Sequence, residues 1–274
     1  MDETAPLPET VTAMIMAGKR SGALDPLAAR AGVAQKCVVP VLGVPMVERV
    51  ARNVAACPLV RDMIIVAHEP DEIAAIPFIA DLVEQGRLRF AAGKFNLVDS
   101  VREGAKGATF PIMITTADNC LVTPQGYEEF IAKALQARAG GAAALARKED
   151  VIAADPEGQK KFYKFADGEF SNCNTYWIGA EQTLSAAEIF RNGGQFVKKP
   201  HRIAKAFGIV NLIRFFIGNA NREELFDKMG RRFGFKLASV VLSNGEYAID
   251  VDNQRTFEVT ERLLAKREGA GTPA

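Results

Sequence analysis

Apolar residues fall in short dense runs along the first half of the chain, and the longer stretches between them carry apolar positions at helical spacing. The dense runs, rich in Val, Ile and Met, predict strands at 11–16, 63–67, 88–91, 112–115 and 142–146. The stretches between predict helices at 45–56, 71–84, 97–107 and 124–139. This alternation argues for an α/β fold: a mostly parallel central sheet with helices on both faces, Rossmann-like in its layering. Ligands on such sheets bind beyond the carboxyl ends of the strands, so the loops after Met16, Ala67, Ala91 and Thr115 are where a site is expected. The second half is less regular. It predicts strands at 160–165, 174–179 and 236–241, and helices at 180–192, 201–218, 222–233 and 254–266. No repeat, low-complexity segment or clear linker interrupts the pattern, so 1–274 reads as a single domain with halves at 1–125 and 126–274.

Composition narrows the class. Of the 274 residues 48% are apolar and 24% charged, which suits an ordinary globular protein rather than a disordered one. A formal net charge of +1 gives no global field for nucleic acid. Cys37, Cys57, Cys120 and Cys173 form no C-x-x-C pair, and His68 and His201 are the only histidines, which argues against structural zinc. Scattered thiols and an acidic N-terminus without a signal-peptide pattern lead to an expected cytoplasmic location. No apolar run reaches transmembrane length. The helix at 201–218 is nonetheless strongly apolar with basic flanks: a core helix by default, and otherwise a peripheral membrane contact or a cover over a greasy acceptor.

Three segments carry candidate chemistry. The first strand runs into Ala17-Gly18-Lys19-Arg20-Ser21-Gly22, where glycine lets backbone N–H groups approach phosphate oxygens and Lys or Arg neutralises them. Neither a Walker A motif nor a Rossmann G-x-G-x-x-G is present, and a plain surface loop is the alternative. The strand at 112–115 leads into Asp118, a carboxylate suited to a hard cation such as magnesium, or to capping the next turn. Asp250 and Asp252, two apart on an extended segment, point to one side and can face one cation; alternatively Asp252 or Asn253 caps the last helix.

The order of these elements, with Lys36 ahead of Pro40 and Gly43, resembles the nucleotidyltransferases of the glycosyltransferase-A-like fold, the nucleotide-diphospho-sugar transferase type. That group includes sugar-phosphate and cytidylyl transferases and the MobA-like molybdenum-cofactor guanylyl and cytidylyl transferases. The resemblance covers 12–124 and returns at 248–264. It implies a nucleotide-binding half at 1–125 and an acceptor-binding half at 126–274. It implies that the backbone at Ala17, Gly18 and Gly22, with Lys19, Arg20 and Lys36, holds the triphosphate; Arg30 competes with Arg20 for the arginine's role. It implies Mg2+ on Asp118 and Asp252 with Asp250 as helper. The segment from Gly93 through Asn96 to Ser100 resembles the cytidylyl branch, where it touches base and ribose. The Gly-Pro-Leu triplet of guanylyl relatives is missing, which favours CTP; a helix cap at Asn96 or Asp99 is the alternative. Asn174 matches an acceptor-contacting Asn-Thr strand, and Lys198 and Lys199, with His201 and Arg202, could receive an acceptor phosphate or form a solvated loop.

The implied reaction joins a nucleoside triphosphate to a phosphorylated small molecule and releases pyrophosphate. Two anions must approach, so positive charge and positioning matter more than a general base. The alternatives are a transferase acting on molybdopterin, a glycosyltransferase of the same fold, and a non-catalytic nucleotide-binding protein.

Overall fold

Every residue of Val11–Ala17 is buried, as a strand covered on both faces requires. This strand, β1, is the centre of the computed structural model, which describes residues 6–18, 24–190 and 220–270. The remaining strands are β2 Pro40–Val41, β3 Val44–Pro45, β4 Val60–Ala67, β5 Leu88–Ala92, β6 Ile112–Thr116, β7 Gly141–Arg147, β8 Tyr163–Phe165, β9 Gly168–Ile178 and β10 Leu237–Val241. The described helices are α1 Pro26–Ala31, α2 Met46–Ala55, α3 Asp71–Ala74, α4 Pro77–Glu84, α5 Leu97–Ala105, α6 Pro124–Gln136, α7 Lys148–Ala154, α8 Arg222–Phe233 and α9 Gln254–Ala270.

Eight strands form one sheet in the order β10-β7-β9-β6-β1-β4-β5, with β8 paired to β9. All pairs along that order are parallel except those of β9, which runs against both β6 and β7. The β6–β9 pairing joins strands from 1–125 to strands from 126–274. Alternate residues of β1 feed two apolar layers. Ala13, Ile15 and Ala17 pack with α2, α4, α6 and α9, whereas Met14 and Met16 pack with α5 and the 3₁₀ turns of Glu181–Phe190.

The chain leaves β1 for β4 and β5 on one side, then crosses to β6 on the other. The loops after β1 and β6 therefore part in opposite directions and leave a crevice at the carboxyl edge. Lys36 is anchored near that crevice by its neighbours. Cys37, Val39 and Val41 are buried, and a two-residue turn at Leu42 and Gly43 (φ 47° and 77°) joins β2 to β3. Both turn residues need positive φ, which Gly43 adopts without strain.

Several boundaries depart from the sequence reading. The helix expected at 71–84 is two helices, because Pro77 opens α4 and holds Ile76 extended. The strand expected at 174–179 begins at Gly168, and the one expected at 160–165 is reduced to Tyr163–Phe165. Glu181–Phe190 is 3₁₀ rather than α-helical. Helices α1 and α7, six and seven residues long, had no sequence signal long enough to show a period. The helix expected at 201–218 lies outside the described residues. Among those described, no helix is long and apolar enough to cross a membrane.

Candidate active site

Four side chains from three distant segments meet at the crevice. Lys36 Nζ donates to Asp118 Oδ2 at 2.7 Å and reaches Asp252 Oδ1 at 3.5 Å. Carboxylate oxygens of Asp118, Asp250 and Asp252 lie within 4.8 Å of one another. Backbone bonds set this convergence. Ala117 N–H donates to Met16 O, which continues the β1–β6 pairing past its last register, and Val251 N–H donates to Asp118 O at 3.1 Å. The second bond lays the 250–252 segment against the end of β6. Asn253 caps α9: its Oδ1 accepts from Thr256 N–H, and Thr256 Oγ1 accepts from the N–H groups of Asn253 and Asp252. The Asp252 carboxylate is thus turned towards Lys36 rather than consumed as the cap.

Electrostatics follow from this crowding. Burial pulls the Lys36 ammonium down, but Asp118, by charge and hydrogen bond, and then Asp252 and Asp250 outweigh it and hold it above its ordinary value. Asp250 is pushed up to about 7 by burial first, then by the negative charges of Asp118 and Asp252, with Lys36 opposing. Its carboxylate therefore sits where more positive charge is wanted. An all-carboxylate oxygen set of this spacing fits a hard divalent cation, and the Lys36 ammonium stands in for that charge.

A second cluster involves His68, whose role the sequence did not suggest. It follows β4, at one of the strand ends marked beforehand, and its ring covers Gly18 and Gly93. A Cβ on Gly93 would lie 2.7 Å from His68 Nδ1, so any larger residue there would have to displace the ring. His68 Nε2 lies 3.1 Å from Lys94 O, an acceptor, so Nε2 carries the proton. Ala17 pairs with Ala67 and Gly93 N–H donates to Ala67 O, which brings the loops after β1, β4 and β5 together. Ser100 is buried; its hydroxyl accepts from Lys94 N–H and lies within donating distance of the Lys94 and Asn96 carbonyls. Asn96 caps α5 through its Oδ1 and Asp99 N–H. Both side chains are engaged in shaping the Gly93–Ser100 loop.

Asn174 lies beside the acids: its Nδ2 donates to Asp250 Oδ2 at 3.0 Å. Arg30 is exposed in the last turn of α1. Lys19, Arg20 and Gly22 lie outside the described residues, as do Lys198, Lys199, His201 and Arg202. The four cysteines are buried and unbonded, and burial raises the thiol pKa at each.

Comparisons with known proteins bear on the fold and the family. No curated protein matches the chain. A hypothetical transferase from Thermus thermophilus superposes with a TM-score of 0.74 at 21% identity, covering 90% of this chain and 99% of that one. A 4-diphosphocytidyl-2C-methyl-D-erythritol synthase from Anaerococcus prevotii gives 0.54 at 12% identity over 94% and 96%. A Methanothermobacter nucleotidyl transferase gives 0.52 at 14% over 94% and 100%. At these identities the likeness shows a shared fold. The family model for the MobA-like NTP transferase domain matches residues 13–192, a span that takes in Lys36, Asp118, the His68 cluster and Asn174, and the chain belongs to that family of nucleotidyltransferases.

Proposed function

We propose that this nucleotidyltransferase joins a nucleoside triphosphate, CTP in preference, to a phosphorylated small molecule and releases pyrophosphate, with Mg2+ as its cation. The observation that carries the reading is the meeting of Lys36 with Asp118, Asp250 and Asp252 at the sheet's crevice. An oxygen of the acceptor phosphate attacks the α-phosphorus in line. The bond from that phosphorus to the bridging oxygen breaks, and pyrophosphate departs with the electron pair; no proton has to move. Lys36, helped by Lys19 and Arg20 of the glycine loop, meets the charge on the departing pyrophosphate. Asp118 and Asp252 would hold the cation with Asp250 beside them, a position from which it would polarise the α-phosphate. Gly18 and Gly93 let the His68 ring lie against backbone at the carboxyl ends of β1 and β5.

The preference for CTP rests on the 93–101 segment and is supported by the cytidylyl chemistry of the Anaerococcus neighbour. A second reading, transfer of a guanylyl or cytidylyl group to molybdopterin, is favoured by the family match itself. The buried thiols support a reducing compartment such as the cytoplasm.

Pyrophosphate release, measured for the four triphosphates against sugar phosphates, phosphorylated alcohols and molybdopterin with Mg2+, tests the reading. Turnover with CTP and a phosphorylated alcohol or sugar is expected. Release only with molybdopterin selects the second reading, and no release with any pair, together with no Mg2+-dependent thermal shift by any triphosphate, overturns both.

A further inference from the structure

We propose that Asn174 is a positioning residue for Asp250, which rests on the metal-site reading above and assigns the side chain to the cation rather than to the acceptor. The evidence begins in the pairing of β9. Ala143 pairs with Tyr176 and Leu145 with Asn172, so two steps along β7 span four along β9. The two extra residues bulge out, and Asn174 within the bulge has φ 48°, left-handed backbone that asparagine tolerates better than most residues.

Side-chain bonds lock this shape. Asn172 Oδ1 accepts from Asn174 N–H at 3.3 Å, and Asn172 Nδ2 donates to Asn174 Oδ1 at 2.9 Å. Asn172 Nδ2 also donates to the Tyr176 hydroxyl at 2.5 Å, tying the pair to a ring packed against the apolar layer. With its Oδ1 receiving Asn172's donor, the Asn174 amide has one orientation left, Nδ2 towards Asp250 Oδ2. Two asparagines and a tyrosine thus form a chain that ends on one oxygen of Asp250. Its effect is to fix which oxygen the Asp250 carboxylate presents to the cation. Asn119 supports the same bulge: its Nδ2 donates to Cys173 O at 2.7 Å, one residue after Asp118.

Asn174→Gly is the discriminating change, because glycine keeps left-handed backbone at no cost and removes only the amide. Mn2+ binding to the nucleotide-free protein is measured by electron paramagnetic resonance or calorimetry at pH 8. Wild type is expected to bind Mn2+, and its failure to bind would sink the parent reading instead. Asn174→Gly is expected to bind about tenfold more weakly. In an Asp250→Ala background, which leaves Asn174 no oxygen to hold, the same change should have no further effect, since the residue acts through Asp250. Should Asn174→Gly not fold, Asn172→Ala leaves the Asn174 amide in place without its support, and about threefold weaker binding is expected, within the range for such supporting contacts. Unchanged Mn2+ affinity in the folded variant, or a loss that persists in the Asp250→Ala background, overturns the proposal.

Discussion

Replacing Asp250 by asparagine should stabilise the metal-free protein, the reverse of what removing a half-buried charged residue usually does. Burial and the charges of Asp118 and Asp252 raise its carboxyl from 3.8 to about 7. Roughly three units at about 1.4 kcal/mol each set a ceiling near 4 kcal/mol on the cost of ionising it in the fold. The repulsion is shared with its acidic neighbours, so about half, roughly 2 kcal/mol, is assigned to Asp250 alone. For a chain of this size that corresponds to a melting temperature higher by about 4–8 °C. The replacement amide keeps an oxygen for Asn174 Nδ2, so the geometry survives. The sign with pH follows from linkage. Below about pH 4 the carboxyl is protonated in both folded and unfolded wild type, and the variant has no advantage. As pH rises from there through about 7 the unfolded chain ionises freely while the folded one resists, so wild type loses stability and the gap opens. The assay is thermal unfolding of both proteins in EDTA between pH 4.5 and 8, repeated with Mg2+. Metal should narrow the gap at pH 8 by stabilising wild type more. A variant less stable than wild type at pH 8, or a gap that does not change with pH, refutes the reasoning.

Three further outcomes are expected. Asp118→Asn should lower kcat by about 10²–10³-fold in a pyrophosphate-release assay while the circular dichroism spectrum stays unchanged; retained turnover removes Asp118 from the cation's ligands. Lys36→Met should lower kcat/KM by about 10²-fold, yet tighten Mn2+ binding without nucleotide by about tenfold, because its ammonium lies 2.7 Å from Asp118 where it competes with the cation; calorimetry showing weaker or equal Mn2+ binding contradicts that competition. Gly93→Ala drives a Cβ to within 2.7 Å of His68 Nδ1 and should destabilise the fold by about 1–3 kcal/mol and raise the nucleotide KM. Urea denaturation of His68→Ala/Gly93→Ala, which removes the clash, should recover most of the lost stability.

The first half of the fold was legible because its strands are continuous apolar runs and its helices are long enough to show a period. β1, β4 and β6 are buried over nearly their whole length, and α2 and α6 bury one stripe each. β9 was read short because its first residues, Gly168 and Glu169, and the polar Asn172 and Asn174 break the apolar run that marks a strand. Those asparagines are polar for a reason local sequence does not contain: they face each other and Asp250, 76 residues away from Asn174.

The same distinction separates the parts of the site. Lys36, Asp118 and Asp252 stand out because each is a charged residue beside an apolar element that has no packing use for it. Ser100 and Asn96 also stand out in the chain, but their hydrogen bonds close within the 94–100 segment. Asn174 and His68 are the converse: Asn174 is marked only by its likeness to an acceptor-contacting Asn-Thr strand, and nothing adjacent in sequence marks His68. Asn174 acquires its partner only when the β9 bulge meets the Asp250–Asp252 segment, and His68 only when β4 and β5 bring Gly93 under its ring. Residues whose chemistry depends on a bulge or on an absent side chain elsewhere are therefore the ones whose partners a linear reading does not supply. The Asn174→Gly measurement bears on that general point as much as on this site: loss of cation affinity through an unchanged Asp250 would show function residing in a side chain that only a backbone irregularity, a gap to sequence patterning, brings to its partner.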